Sequence, residues 1–296
     1  MKTSLRRWEY HARASRSVNR ALAKARRSLR PGTPLLSLAE LIEKEIVCQG
    51  ALPAFPVSLA VNEEVAYCSP TSAAATTLER GDLLKIDVGA HVAGYIVDTA
   101  ITLEIETARH ARLIRAAERA VDGALRLTRD GVLTSVIAQH IEHCIACEGF
   151  RSVFSHYGHS VDRYRVHGAI TVACSPHTNV ELSEGDIMAV EATLTAGRVA
   201  LRRQDAEIYS LQPHVDVTPL SIGARSLFSQ LFAAYGALPF SIRWLNETES
   251  IRSVVLCELL KSGALVAYPK VVEAHNNIVA HVERSIIVTQ NGYVAL

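Results

Sequence analysis

Apolar positions recur at helical spacing through the first fifty residues, predicting helices over about 6–29 and 36–49. Pro31-Gly32 supplies the stop signal between them. The segment from Phe55 to Val65 predicts a strand, and a loop rich in Ser, Thr and Ala then runs to a Gly81-Asp82 turn. The stretch KIDVGAHVAGYIVDTA, Lys85 to Ala100, predicts a β-hairpin with Asp87 and Asp98 at its ends and Gly89 and Gly94 bracketing the crossing. Residues 107–127 and 133–148 predict a second helical pair, broken at Asp130-Gly131, and strands and loops follow through Thr195. Helical spacing returns near 222–235 and 248–263, with Gly236 to Trp244 between, so 222–268 predicts a helical insertion in a β-rich half. The chain goes back to strand with IVAHVERSIIV.

One internal echo stands out in this pattern. Glu79 to Asp87 and Glu184 to Glu191 both run from a Gly-Asp turn through an apolar strand to a carboxylate five residues beyond the turn aspartate. Two similar halves that place matching groups around one centre are the expected cause.

Composition narrows the picture. A chain of 296 residues that is 49% hydrophobic can bury a large core, and a net charge of +1 fits neither a DNA binder nor an acidic tail. No apolar run has the length of a membrane-spanning helix, so a soluble protein is expected. The first thirty residues differ: Arg6, Arg7, Arg13, Arg16, Arg20, Lys24, Arg26, Arg27 and Arg30 face only Glu9. A first amphipathic helix with a solvated basic face is the expectation, and a transit peptide or a patch for rRNA or a membrane surface are the alternatives. Six scattered cysteines without a secretory signal suit a reducing cytoplasm. His140, Cys144 and Cys147 share a helical face like a zinc site, but no second ligand pair has zinc-finger spacing. Cys144 and Cys147 are expected to pack as small apolar groups.

Two carboxylates brought together repel unless a cation lies between them, so the Asp87–Asp98 hairpin suggests a metal site. Turn-starting or capping aspartates are the plain alternative. SHYGHSVDRYRVHG adds His156, His159 and His167, and Glu191 and Glu283 each sit mid-run in a strongly β-forming stretch. A carboxylate buried there is destabilising unless paired or metal-bound. Four carboxylates and an imidazole suit two divalent ions of the Co, Mn, Fe or Zn kind.

PAFPVSLAVNEEVAY, GDLLKIDVGAHVAGYIVDTA, GHSVDRYRVHG, EGDIMAVEAT and YGALPFSIRWL, in that order, resemble the methionine aminopeptidases of type II, in their archaeal form. The resemblance runs from about residue 8 to 293. It implies an α+β pita-bread (creatinase/aminopeptidase) fold with pseudo-two-fold halves, residues 1–296 forming one catalytic domain and 222–268 the helical type II insertion subdomain. It implies a cytoplasmic, monomeric metalloaminopeptidase that takes initiator methionine from nascent polypeptide N-termini by hydrolysis through a dimetal-bridged hydroxide, with ribosome contact and no membrane or DNA partner. By the same resemblance, Asp87 holds one ion, His159 and Glu191 the other, and Asp98 and Glu283 both. Glu191 accepts the proton, His167 hydrogen-bonds the substrate carbonyl, and Phe55 lines the methionine pocket.

Several positions depart from the family pattern. Tyr67 stands where the family has a histidine near the substrate amide, Ala192 where it has proline, His281 where it has glutamine, and Arg284 where it has histidine. Tyr67 and His281 are therefore expected at the substrate, with His281 a partial replacement for the missing imidazole. Two other readings stay open. One is an X-Pro peptidase of the same fold, against which stand the insertion and the lack of the N-terminal domain common in prolidases. The other is a catalytically impaired relative that binds ribosome or RNA, although such relatives usually lose ligands that are all kept here.

Overall fold

A computed structural model describes residues 2–71, 76–245 and 249–296, with their side chains save those of 2–6 and 249–253. Helices α1 (Lys2–Ser28) and α2 (Leu35–Cys48) lead to short strands β1 (Leu52–Pro53), β2 (Ser58–Val61) and β3 (Glu64–Ala66). The hairpin of β4 (Leu83–Val92) and β5 (Tyr95–Glu104) comes next, then α3 (Ala111–Leu127) and α4 (Thr134–Cys147). Strands β6 (Arg151–Ser152), β7 (His156–Ser160), β8 (Thr171–Ala173), β9 (Ile187–Thr195) and β10 (Leu201–Leu211) follow. Helices α5 (Ile222–Tyr235) and α6 (Glu249–Lys261), with β11 (Phe240–Ser241) between them, precede β12 (Leu265–Glu273), β13 (Val279–Thr289) and β14 (Gly292–Ala295).

Two halves repeat within one sheet, whose strand path is β1-β4-β5-β13-β9-β7-β8. Each half opens with an antiparallel pair of helices. In each, a glycine N–H then bonds back to a leucine carbonyl: Gly32 to Leu78 at 2.7 Å, Gly131 to Leu182 at 2.8 Å. The echo seen in sequence has the same hydrogen bonds in both copies. Asp82 Oδ2 accepts from the Glu79 amide at 2.7 Å, and Asp186 Oδ2 from the Ser183 amide at 2.8 Å. Gly81 and Gly185 beside them have φ of 97° and 94°. Identical turns thus launch β4 and β9, so Asp87 and Glu191 arrive at equivalent places on the two sides.

Each helical pair covers the same side of its half. Ala14, Val18, Ala21, Leu22 and Ala25 of α1 pack with Ile86, Val88 and Ala90 of β4. Because strand side chains alternate, Asp87 and Gly89 then face the opposite way. The second half buries α3 and α4 against β9 and β13 in the same manner. A smaller sheet, ordered β11-β10-β12-β3, carries α5 and α6 at the far end of its β10–β12 hairpin. Arg243, just beyond α5, fixes this part to α2 through Glu43, whose carboxylate also accepts from Trp244 Nε1 at 3.1 Å and from the Val57 amide at 3.1 Å.

His11 lies inside the first interface, 3% exposed, with Nδ1 2.9 Å from the Ile96 carbonyl. Burial, and then the charge of Arg7, hold it down at about 4. The folded chain therefore refuses a proton that the unfolded chain takes at about pH 6.5. Stability from this site is complete above pH 6.5 and falls as the pH drops toward 4. Wild-type protein is expected to lose about 2 kcal/mol of unfolding free energy between pH 7 and pH 5 through His11. Urea midpoints at the two pH values should show this component missing from His11→Gln.

Three expectations need correction or limits. The strand expected from Phe55 to Val65 is two strands in different sheets: β2 pairs with β4 and β3 with β12. Asn62, at φ 53°, turns the chain between them. Part of the Ser/Thr/Ala loop, residues 72–75, lies outside the described residues, as do 246–248 in the insertion. Residues 265–268, expected as the end of the insertion, begin β12 and pair with β10.

Candidate metal centre

Register places four carboxylates on one sheet face. Asp87 of β4 pairs with Ala100 of β5, and Asp98 of β5 pairs with Gly89 two residues along β4. Glu283 of β13 pairs with that same Ala100 and, on its other side, with Glu191 of β9. His159 of β7 pairs with Ala189, which shares the face of Glu191. The aspartates are thus mid-strand rather than at the hairpin ends, because the turn falls later, at Ala93-Gly94. Gly158, at φ 142°, lets β7 approach β9: a Cβ there would lie 2.2 Å from the Ala189 carbonyl oxygen.

His159 Nε2 lies 3.6 Å from Glu283 Oε1 and 3.8 Å from Asp98 Oδ2. One donor atom from each of the three lies within 4.8 Å of the others. The His159 Nδ1 atom is 3.1 Å from the Ser160 carbonyl, a bond that needs the proton on Nδ1 and leaves an Nε2 lone pair facing the carboxylates. Asp87 Oδ1 and Asp98 Oδ1 are buried and, among the described residues, have no hydrogen-bond partner. Orphaned carboxylate oxygens are costly, and like charges directly opposite on a sheet destabilise it. Both penalties vanish with a cation in the middle. An oxygen-rich set with one imidazole fits hard to borderline divalent ions, so these residues fit a metal.

Proton affinities follow from the same crowding. Burial pushes Asp87 up to about 6, partly countered by His281. Burial and then Glu283 push Asp98 well above the carboxylate range, and burial and then Glu191 do so for Glu283. Glu191 goes the other way. Burial would raise it, but the hydrogen bond and charge of His281, with His156 and His159 behind, bring it to about 2. His281 answers: burial would lower it, yet Glu191 raises it to about 9. The two form an ion pair, His281 Nε2 to Glu191 Oε2, at 3.1 Å.

A cavity of ≈ 270 Å³ collects Phe55, Tyr67, His167 and His281 with all five presumed ligands. Phe55 lies flat on Gly89, where an added Cβ would come within 2.3 Å of its ring. His167 stands edge-on to His159 at 4.5 Å between centroids. Burial, then the charge of His159, hold it down at about 4, so it is neutral. Tyr67 leans on Tyr268, has the left-handed φ of 60°, and is pushed up to about 12 by burial and then by Glu191. His281 is tied to Glu191. Arg284, on the other side of the strand, donates to the Ala100 and Glu283 carbonyls.

Residues not singled out as site members also line the cavity. His156 stacks on Phe154 and brings Nε2 to 3.9 Å from Glu191 Oε1. Its three-residue spacing from His159 breaks strand alternation, and a register shift between the two restores it to the same face. The histidine-rich motif was the available signal, but no periodicity shows a bulge. On α4, Cys144 is only part-buried and Cys147 is exposed, which corrects the expectation that both pack as apolar groups. They contact His140 and His143 separately, at 3.3 and 3.4 Å. Among the described residues no third donor joins either pair, so no zinc cluster forms there.

The Phe55–Gly89 contact makes a prediction. Gly89→Ala should displace the ring and raise KM for a methionine-initiated peptide by about tenfold, within the range for one misplaced methylene in an apolar pocket. Phe55→Ala should do the same, and the double variant should add little, because both act on one contact. Additive losses would remove Phe55 from the pocket.

Comparison with known proteins supplies a separate line. The model of "Metallopeptidase family M24" matches residues 9–225. A methionine aminopeptidase of Pyrococcus abyssi is 38% identical over 272 residues, 90% of this chain and 90% of that protein. Among solved structures, that of a thermophilic Arx1 superposes with a TM-score of 0.87 at 18% identity, covering 97% of this chain and 89% of that one. A methionine aminopeptidase from Rickettsia prowazekii gives 0.69 at 17% identity over 100% and 97%. At such identities the structural likenesses speak for the fold alone.

Proposed function

The chain belongs to metallopeptidase family M24 and is an enzyme with the pita-bread fold, and from that premise we propose that it is a two-metal methionine aminopeptidase acting on nascent polypeptide N-termini. The observation that carries this reading is the set of four carboxylates and one imidazole on a single sheet face, floored by an apolar cavity beside Phe55. Asp87 would hold one ion, His159 and Glu191 the second, and Asp98 and Glu283 both. Divalent ions of the Co, Mn, Fe or Zn kind, when bound there, supply Lewis acidity and a water of lowered pKa.

The remaining steps fall to the chain's own groups. Phe55 would receive the methionine side chain and so set the first residue in place. Glu191, ionised and held by His281, would accept the proton released during attack. His167 is neutral and would donate to the carbonyl oxygen as negative charge develops on it. Tyr67 would hydrogen-bond the amide, and its high proton affinity makes it a weak acid for the departing amine. The cavity walls keep bulk water from the reacting groups.

The free cysteines agree with a reducing cytoplasm, and a monomer suffices because all the named groups come from one chain. A peptide panel tests the reading: Met-Ala-Ser, Leu-Ala-Ser and Met-Pro-Ser together with Ala-Pro-Ser. Release of methionine far ahead of leucine and alanine is expected. Preferential cleavage of Ala-Pro would instead favour an X-Pro peptidase, and binding without cleavage of any would favour the impaired relative.

A further inference from the structure

Charge is sharply divided along this chain. Residues 1–30 hold ten lysines and arginines against one glutamate, whereas residues 31–296 hold 21 basic and 29 acidic side chains. A net charge of +1 thus hides a strongly positive first helix on a negative body. Helix α1 is an integral part of the fold: its inner face, from Ala14 to Ala25, is buried on β4 and β5.

Its outer face is a stripe. Arg13, Arg16, Arg20, Lys24 and Arg27 follow one another at intervals of three and four residues, all exposed, so they project from one side over about 21 Å of helix. Lys24 pairs with Glu45 at 2.6 Å and Arg20 donates to Gln49. No ion pair is formed by Arg13, Arg16 or Arg27 among the described residues. The internal repeat supplies a comparison. Helix α3, which occupies the matching place in the second half, mixes its arginines with Glu118 and Asp122, and Arg112 and Arg119 both reach Glu148. The scaffold does not require the positive stripe; only α1 has it.

We infer that the outer face of α1 is a docking surface for the phosphate backbone of folded RNA. Four of the five stripe cations are arginines, whose planar guanidinium matches phosphate in a two-bond geometry. A membrane surface fits poorly. Binding in a lipid interface needs an apolar helix face to insert, and that face of α1 is covered by the sheet. Long duplex DNA fits poorly too, because the negative remainder of the protein opposes wrapping and the stripe is one short ridge. The choice of RNA also rests on the proposed function, since nascent N-termini are met at an RNA-rich surface. Asp87 and Asp98 face away from α1, so a bound RNA leaves the cavity uncovered.

The probe is purified ribosomal RNA, with duplex DNA and phosphatidylserine vesicles as the other arms, all at several salt concentrations. Wild-type protein should bind the RNA with a log K against log salt slope of about −3 to −4, as expected for four to five phosphate contacts. The triple variant Arg13→Gln/Arg16→Gln/Arg27→Gln should weaken binding at least tenfold and make the slope shallower by about 2–3. Its hydrolysis of Met-Ala-Ser should stay at the wild-type rate. A control with the same charge change on the second half, Arg115→Gln/Arg126→Gln/Arg129→Gln, should bind RNA as wild type does. Equal loss in the control would reduce the effect to net charge and overturn the inference. So would RNA bound no tighter than DNA or vesicles, or no RNA binding at all. Peptide hydrolysis is read separately, so a failure of the proposed activity would not be mistaken for a failure of docking.

Discussion

Asp98→Asn is expected to lower methionine release by about 10²–10⁴-fold or more while making the metal-free protein more stable. Asp98 is 3% exposed, one of its oxygens has no partner, and Glu283 bears on it directly. In a structural role the carboxylate would be paired, and its removal would cost stability. Here the amide keeps the shape and deletes one of four mutually repelling charges, so unfolding free energy without metal should rise by about 1 kcal/mol or more. Metal should also cease to raise the melting temperature, because a ligand that binds only the folded state stabilises it in proportion to its affinity. Thermal melts with and without chelator, beside initial rates, read both effects. A less stable metal-free variant that keeps its activity would place Asp98 in the structure and not in the chemistry.

Tyr67→His should raise kcat for Met-Ala-Ser by about tenfold or more with little change in KM. The backbone argues that the change is tolerated. At φ 60° a tyrosine is out of place, whereas histidine is among the residues enriched in that region. Chemistry supplies the gain. With its proton affinity pushed up to about 12, Tyr67 gives almost nothing to a leaving amine at neutral pH, and an imidazole titrates where it is needed. The pH profile should therefore acquire a limb in the neutral range. Tyr67→Phe should leave kcat within about twofold of wild type; a large loss there would mean that the hydroxyl itself acts.

How much of this was legible in the sequence depends on whether the controlling contacts are local. The Gly-Asp turns are local, so the repeat that aligns Asp87 with Glu191 could be read and recurs in matching hydrogen bonds. Hairpin pairing needs only an alternating pattern and a turn, which made Asp87 and Asp98 visible. Their mid-strand positions were not, since Gly89 resembles a turn residue until Phe55 is seen lying on it. The break at Asn62 was hidden because apolar character continues across it while the two strands join different sheets. His156 was hidden by a bulge, which no spacing rule marks. The Glu191–His281 pair joins residues ninety apart and follows only from the β9–β13 register.

Hydrolysis of Met-Ala-Ser by metal-stripped protein, reloaded in turn with Mn, Co, Fe and Zn beside Glu191→Ala, tests the central claim most directly. The account predicts no turnover without metal, methionine release on reloading with at least one ion, and a loss of about 10²-fold or more in the variant. Turnover that is indifferent to metal removal, or that survives in Glu191→Ala at the wild-type rate, would contradict it.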